Sequence, residues 1–304
     1  NMNQSKFEYL IKENDKELPV KELLKRNFGF SSRLMTKLKV HECVQLNGSP
    51  IKMYMKGNPG DRITVSLPKE KSDFEPENIP ISVVYEDEDL LIINKQPGYV
   101  VHPTKGHPCH TMANGIMNYM LENNKHFKIR FINRLDMDTS GLLAVAKNSH
   151  CQDDMSKQMS ENGVTKKYVA IVKGIIAEED GTVDLPIDKE QEDHVKRAVV
   201  EDGYPSVTHY KVLERFEKGY TLVELVLETG RTHQIRVHMS HIGHPIVGDV
   251  LYGEASVWLI ERQALHARYL AFRHPVSNQF LELEAPLPDD MLMLIERIKG
   301  EKKI

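Results

Sequence analysis

The stretch from Phe131 to Asn148 concentrates side chains of the kinds that catalysis uses. Arg134, Asp136 and Asp138 stand within five positions, and the apolar run Leu142 to Ala146 follows shortly after them. An acid between apolar residues, beside an arginine and before a Thr-Ser-Gly turn, is not typical of a plain surface loop. The pattern predicts a loop that presents the carboxylate of Asp136 and then enters a buried strand.

Two other kinds of chemistry match parts of the sequence. Residues 136–139 (DMDT) resemble a short pattern of aspartyl-phosphate phosphatases, but there the first aspartate ends a buried strand, whereas here the apolar run follows it. A histidine series has spacings that suit a metal site: His233, His238, His241 and His244. No nearby Cys or Glu completes a ligand set, and Arg231 and Arg236 would repel a cation. We therefore expect neither a metal nor a redox cofactor.

Length and composition bound the class of protein. A chain of 304 residues with 40% hydrophobic and 28% charged residues is typical of a globular protein and allows roughly two domains. No run approaches the roughly 18 apolar residues of a membrane span, and the polar N-terminus lacks the apolar centre of a signal peptide. Three widely spaced cysteines argue for a reducing compartment rather than a disulfide framework. We expect a cytoplasmic protein.

Residues 1–70 differ from the rest of the chain in charge. They hold 13 Lys and Arg against 8 Asp and Glu, while the remainder holds 27 against 36. A basic head on an acidic body indicates that the head contacts an anion, although a chance fluctuation in solvated charges gives the same asymmetry.

Two short helices and a tight β unit are predicted within this head. The first helix ends at Gly29, and the second begins at Ser31 or Ser32, because glycine and serine are the common residues at those ends. Asn47-Gly48 between two apolar runs predicts a hairpin. Residues 68–80 are rich in charge and proline and show no periodicity, which indicates a linker.

The rest of the chain predicts more strands than helices. The strands are joined mostly by short turns, which favours an α+β fold with a largely antiparallel sheet. Thr111 is expected to cap a helix whose apolar face includes Ile116, Met120 and Leu121. Further helices are predicted at 150–162, 261–270 and 289–300.

An ordered set of motifs runs from about residue 80 to about residue 290. Residues 133–141 (NRLDMDTSG) resemble the H-R-L-D-x-x-T-S-G signature of RNA pseudouridine synthases of the ribosomal large-subunit and tRNA type. Residues 167–174 resemble the tyrosine strand of that family, and residues 229–238 (TGRTHQIRVH) resemble its arginine segment. The remaining matches are at 94–98, 101–103, 248–249, 251–253, 265–267 and 272–275.

The head resembles the alpha-L RNA-binding module of a ribosomal small-subunit protein. The matching residues are the Ser-Ser-Arg helix start, 44–48 (VQLNG) and 60–63 (GDRI). The two resemblances imply an RNA-binding domain over 1–70, a linker over 71–80 and a catalytic domain over 81–304. Arg26, Arg33 and Lys37 would contact RNA phosphates, unless they belong to a merely solvated basic face.

The family resemblance implies an α+β fold, with a mixed, largely antiparallel sheet and flanking helices around a central RNA cleft. It implies isomerisation of uridine to pseudouridine in RNA without a cofactor. Large-subunit ribosomal RNA is the favoured target and a tRNA stem-loop is the second. An RNA-binding factor that keeps the scaffold without the activity is the alternative from another class. A monomer is the default state.

The resemblance also implies roles for five residues. Asp136 is the catalytic carboxylate, and Arg231 pairs with it and keeps it ionised. Tyr168 stacks on the uracil or handles a proton. Arg134 fills the space of the displaced base, and Ile235 forms an apolar wall of the pocket or belongs to the core.

Two positions depart from the family pattern. Asn133 stands where a histidine is usual, and Met137 stands where a lysine is common. Asparagine keeps the ability to hydrogen-bond, so we expect the loop geometry to be preserved. The missing lysine removes one phosphate contact and bears on the choice of substrate rather than on the reaction.

Overall fold

The N-terminal part of the protein is a small sheet with two helices around its own apolar core. The structure is a computed structural model that describes residues 6–192 and 195–300. The elements are β1 (Lys6–Leu10), α1 (Val20–Phe28), α2 (Ser32–Val40), β2 (Val44–Leu46), β3 (Ser49–Pro50) and β4 (Arg62–Ser66). The strands pair antiparallel in the order β1-β4-β2-β3.

The predicted helices and hairpin of this part are confirmed. Gly29 ends α1 in the left-handed conformation at φ +65°. Ser31 caps α2, and its hydroxyl accepts a hydrogen bond from the backbone N–H of Leu34 at 3.1 Å. Asn47 and Gly48 turn between β2 and β3 with φ of +49° and +85°, as a tight hairpin requires. Strand β1 was not predicted.

The rest of the chain is organised around one large mixed sheet. Its strands are β5 (Val83–Glu86), β6 (Leu90–Lys95), β7 (Arg130–Phe131), β8 (Ser140–Ala146), β9 (Thr165–Lys173), β10 (Asp180–Asp184), β13 (Val207–Phe216), β14 (Tyr220–Leu227), β15 (Leu265–Arg273) and β16 (Phe280–Glu284). They run in the order β10-β13-β14-β9-β15-β8-β6-β5, with β16 on β15 and β7 on β8. Within the described residues, only β15 and β8 pair parallel.

A separate hairpin and four helices complete the architecture of the described residues. The hairpin consists of β11 (Ile187–Lys189) and β12 (Arg197–Val199). The helices are α3 (Met112–Glu122), α4 (Ser149–Ser160), α5 (Gln234–His241) and α6 (Asp289–Lys299). The predicted α+β fold with a mixed, largely antiparallel sheet and accompanying helices is confirmed. Among the described residues, no helix is both long enough and apolar enough to cross a membrane.

Two local predictions in this part are wrong. The helix predicted at 261–270 is absent, and β15 lies there instead, between β9 and β8. A central strand that is buried on both faces shows no clean alternation, so its apolar run resembles a helix. Thr111 caps α3 as expected, but Leu121 is 58% exposed rather than part of its apolar face.

Strands β8 and β15 approach most closely at Gly141. Its φ is +119°, and a Cβ atom there would lie 2.2 Å from the carbonyl oxygen of Ala267. Only glycine adopts this conformation readily and leaves room for the neighbouring backbone. The parallel pairing of β8 with β15 therefore depends on Gly141.

We predict that Gly141→Ala lowers the free energy of unfolding by about 4 kcal/mol, since it adds a steric clash to backbone strain. Gly219→Ala is the matched control, because its φ is +95° and nothing lies within 4 Å of the added Cβ. That variant should lose only about 1–2 kcal/mol from strain. Urea unfolding measures both, and equal losses in the two variants would contradict the close approach.

Aromatic rings and an ion pair join the head to the main sheet. His150, at the start of α4, lies edge-on to the rings of Phe7 and Phe30 at centroid distances of 5.4 and 5.1 Å. Glu70 forms an ion pair with the buried Arg130, next to β8. The head therefore contacts the part of the sheet that contains β8, the strand that follows the Asp136 loop.

Three buried histidines are neutral at pH 7. His238 lies between the Thr208 hydroxyl and the Leu185 carbonyl, both at 2.8 Å. His266 lies between the Ser140 hydroxyl at 2.8 Å and, at 3.0 Å, the carbonyl of the residue that follows β16. Burial lowers the pKa of His238, His266 and His150 below the ordinary value. In the unfolded chain these rings bind protons at about pH 6.5, so the unfolded state then holds more protons than the folded state.

The free energy of unfolding should therefore be highest above about pH 6.5. It should fall as the pH drops below that value, by up to about 1.4 kcal/mol per pH unit for each such histidine. Urea unfolding at a series of pH values between 7 and 5 measures the slope. His266→Gln should reduce it, whereas replacing the exposed His107 with Gln should not. A slope unchanged by His266→Gln would contradict this prediction.

Candidate active site

The loop that carries Asp136 is fixed through its backbone. Lys95 at the end of β6 donates to the carbonyls of residues 137 and 139 at 2.9 and 2.8 Å. Arg262 donates to the carbonyl of residue 138 at 3.0 Å. Each of the three carbonyls that follow Asp136 in the turn thus accepts a hydrogen bond from the side chain of a lysine or an arginine.

The side chains of Lys95 and Arg262 are themselves buried. The Lys95 side chain is 0% exposed, and burial lowers its pKa to about 7, against the opposing charges of Asp138 and Asp136. Arg262 forms a two-pronged ion pair with Asp290 at 2.7 and 3.0 Å, in the first turn of α6. The C-terminal helix therefore supports the loop through Arg262.

The carboxylate of Asp136 pairs with Arg236. Arg236 Nη1 lies 3.1 Å from Asp136 Oδ2, while its Nε and Nη2 donate to the two oxygens of Asp249 at 2.8 and 2.9 Å. The Asp249 side chain is fully buried. Although burial disfavours the charge of Arg236, its hydrogen bonds to Asp249 and the charges of both acids raise its pKa above the ordinary value. One guanidinium thus orients Asp136 and stays charged.

His233 and Tyr252 line the other side of Asp136. His233 Nε2 lies 3.8 Å from Asp136 Oδ1, and its Nδ1 lies 2.6 Å from the Tyr252 hydroxyl. That hydroxyl accepts the backbone N–H of Arg197 at 2.8 Å, which leaves its own proton for Nδ1. Burial lowers the pKa of His233, so its ring is neutral at pH 7 and its Nε2–H faces the carboxylate. The ring of Tyr252 also packs 5.1 Å from the guanidinium of Arg236.

The backbone of His233 is in the left-handed conformation at φ +58°, directly before α5. Left-handed residues other than glycine carry strain of about 1–3 kcal/mol and cluster at functional sites. Here that conformation places His233 and Arg236 on the same carboxylate, since α5 begins at the next residue.

Tyr168, on β9, lies near Asp136. Its side chain is 8% exposed, and burial together with the charge of Asp136 raises its pKa, so the phenol is neutral at pH 7. Its hydroxyl makes no hydrogen bond to any residue of 6–192 or 195–300. Ile235 is 4% exposed and lies in the same apolar cluster as Tyr168.

The predicted pairing of Arg231 with Asp136 is wrong, because Arg236 holds that position. Arg231 is exposed, donates through Nε to the Pro205 carbonyl at 3.1 Å and lies 5.4 Å from the ring centre of Tyr204. The structure therefore brings Asp136 and Tyr168 together and leaves Arg231 at the surface.

The physical reason is that residues 234–241 of this segment form a helix. Helix α5 turns Arg236 inward, while Arg231 precedes its first residue. The apolar residues Ile235, Met239 and Ile242 recur with the helical spacing i, i+4, i+7. That spacing was the available signal for the helix and for the inward arginine.

Of the residues beside Asp136 in its loop, Asn133 is hydrogen-bonded to β8, whereas Arg134 and Met137 are exposed to solvent. Asn133 donates its side-chain amide to the Leu142 carbonyl at 3.1 Å and accepts the N–H of Ala144 at 2.8 Å. It thereby anchors the loop to β8, as expected for an asparagine in place of histidine. Arg134 is exposed, and Met137 is 41% exposed.

The predicted histidine series does not form one cluster. His238 contacts Thr208, His244 lies 2.9 Å from the Lys173 carbonyl, and His233 contacts Tyr252. Within the described part of the chain, the one group with metal-ligand spacing is Asp87, Asp89 and His274. Its His274 Nε2 lies 2.7 Å from Asp87 Oδ2, and backbone N–H groups bind the other Asp87 oxygen. These hydrogen bonds account for the cluster without an ion.

Sequence reasoning assigned no role to four residues that build this site: Lys95, Arg236, Asp249 and Tyr252. All four lie within motifs that it had matched, at 94–98, 229–238, 248–249 and 251–253. Three of them, Lys95, Arg236 and Asp249, are charged residues inside these motifs, and charges are rarely buried unless they are paired.

Comparison with known proteins identifies one family. A family model described as RNA pseudouridylate synthase matches residues 89–241. An uncharacterized RNA pseudouridine synthase of Bacillus subtilis, YlyB, is 45% identical over 260 residues, which cover 84% of this chain and 86% of that protein. The ribosomal large subunit pseudouridine synthase D of Haemophilus ducreyi is 41% identical over 256 residues, 80% of this chain and 78% of that protein.

A solved structure, human RNA pseudouridylate synthase domain containing 4, is similar with a TM-score of 0.59 at 25% identity. The similarity covers 72% of this chain and 93% of that one. Asp136 and its ion-pair partner Arg236 both lie inside the matched region. The chain therefore belongs to the RNA pseudouridylate synthase family.

Proposed function

We propose that the protein isomerises uridine to pseudouridine in large-subunit ribosomal RNA, with Asp136 as the catalytic carboxylate. The ion pair between Asp136 and the buried Arg236 is the observation that carries this proposal. The relative from Haemophilus ducreyi, named for the large ribosomal subunit, supports the choice of RNA over a tRNA stem-loop. We propose that the protein acts as a monomer in the cytoplasm, without a membrane or a cofactor.

The reaction breaks the bond from C1′ to N1 of the uracil and forms a bond from C1′ to C5. N1 gains a proton and C5 loses one, so the composition of the RNA does not change. Asp136 is placed to act on the sugar–base unit because Arg236 holds Oδ2 at 3.1 Å, while Oδ1 lies 3.8 Å from His233. Tyr168 offers a neutral phenol for stacking or proton handling beside this carboxylate.

RNA contacts outside the pocket belong to the same proposal. Arg134 is exposed beside Asp136 and is assigned to the space of the displaced base, with Ile235 as an apolar wall. Arg231, exposed over the ring of Tyr204, takes an RNA-contact role in place of the carboxylate pairing first expected.

The head is proposed to bind RNA as a domain over 1–70, followed by a linker over 71–80 and a catalytic domain over 81–304. Its separate apolar core supports this division. Arg26 and Arg33 are exposed on α1 and α2 and are available to phosphates. Lys37 already forms an ion pair with Glu70 at 2.8 Å, so its contact with RNA would have to be shared or exchanged.

The wild-type protein should form pseudouridine in ribosomal RNA without added metal, and Asp136→Asn should reduce the rate by at least about 10³-fold, since the amide neither attacks nor takes a proton. Carbodiimide treatment followed by primer extension maps the product on ribosomal and transfer RNA. Product sites found only in transfer RNA would show that transfer RNA, rather than ribosomal RNA, is the substrate. Equal product from Asp136→Asn would exclude the catalytic role of Asp136.

The two arginines of the α5 segment should differ in their effects on turnover. Arg236→Lys keeps the charge but loses the two-pronged geometry, so kcat at saturating RNA should fall about 100-fold or more. Arg231→Lys, the matched control, should change kcat less than about threefold, because Arg231 lies at the surface. Single-turnover rates measure both, and the reverse order would contradict the assigned partner of Asp136.

A further inference from the structure

Lys166 lies on the same face of β9 as Tyr168, because residues two apart in a strand point to the same side. Lys167, between them, points to the opposite face. There its Nζ lies 3.9 Å from Glu224 Oε1 and 5.0 Å from the ring centre of Tyr269. The two adjacent lysines thus have different environments, and only Lys166 shares the side of Tyr168.

The amine of Lys166 is half-buried beside the loop that leads to α5. It lies 3.9 Å from the position that a Cβ atom on Gly230 would take. The side chain of Lys166 forms no ion pair or hydrogen bond within residues 6–192 and 195–300. Burial lowers its pKa, and no neighbouring carboxylate opposes that shift. Buried cations in proteins are normally paired with an anion, so a bound anion would supply what this site lacks.

We propose that Lys166 binds a backbone phosphate of the substrate RNA next to the target uridine. This rests on the proposed function, in which Asp136 and Tyr168 hold the uridine itself. Two residues along a strand span about 6.6 Å, comparable to the distance from the sugar of a nucleotide to the phosphate of its neighbour. An RNA substrate brings one such negative charge for every nucleotide.

The spacing also separates Lys166 from the reacting carboxylate. The charge of Asp136 contributes to the raised pKa of Tyr168, whereas burial is the cause of the lowered pKa of Lys166. Lys166 is therefore placed to bind the RNA backbone rather than to take part in proton transfer at Asp136. Lys166 is expected to increase the affinity for RNA and to fix the position of the RNA backbone relative to the pocket.

The test measures RNA binding in the Asp136→Asn background, which blocks turnover. Lys166→Met should raise Kd for a ribosomal RNA fragment that contains the mapped uridine by about tenfold, as expected for one charged hydrogen bond. It should also reduce the slope of log K against log salt by about 0.7, as for one phosphate on a single strand. Lys166→Arg should retain most of the affinity, and Lys167→Met, the matched control, should retain all of it.

Neutral linkages then locate the phosphate. An uncharged methylphosphonate, placed after a 2′-deoxy sugar, replaces one phosphate at a time beside the target uridine. The replacement should weaken RNA binding at one position. At that position the loss should disappear in Lys166→Met, with the 2′-deoxy fragment as the reference. Equal losses with and without Lys166→Met at every linkage would overturn the proposal.

Turnover separates this inference from the function on which it rests. In the active background, Lys166→Met should keep kcat at saturating RNA within about threefold. A large loss of kcat with unchanged Kd would overturn the phosphate role. Absence of pseudouridine with the wild-type protein would overturn the proposed function. Product from the wild type together with an unchanged Kd in Lys166→Met would overturn only the role of Lys166.

Discussion

A guanidinium shared between two carboxylates joins three distant segments of this protein. Arg236 on α5 forms a two-pronged pair with the fully buried Asp249 and extends its remaining nitrogen to Asp136, ahead of β8. Removing one partner from a buried ion pair costs about 3–5 kcal/mol, because the other charge is left uncompensated. Two acids share Arg236, so the position of the reactive carboxylate and the local stability depend on the same side chain.

The other side of the Asp136 loop is held by hydrogen bonds to its backbone rather than by an ion pair. Lys95 and Arg262 bind main-chain carbonyls, and they come from β6 and from the residues just before β15. Strand β8 lies between β6 and β15 in the sheet. Elements far apart in sequence therefore meet at the loop because the strand order brings them there. His233 and Tyr252 complete the surroundings of the carboxylate from the α5 side.

Sequence alone predicted the parts of this molecule that local chemistry determines. The caps at Ser31 and Thr111 and the Asn47-Gly48 hairpin depend on a few adjacent residues, and each is present. Strand β15 was mistaken for a helix because tertiary pairing on both sides, rather than local propensity, determines it. The choice between Arg231 and Arg236 failed for a related reason. It depends on where α5 begins, which the backbone conformation of a single histidine sets.

The hydrogen bonds that shape the Asp136 loop go to its carbonyl oxygens at residues 137 to 139. Every amino acid carries the same carbonyl, so this support does not depend on which side chain stands at an exposed position of the turn. Met137 is 41% exposed, and its backbone carbonyl still accepts the hydrogen bond from Lys95. A substitution on the outward face of this loop can therefore leave the position of the Asp136 carboxylate unchanged.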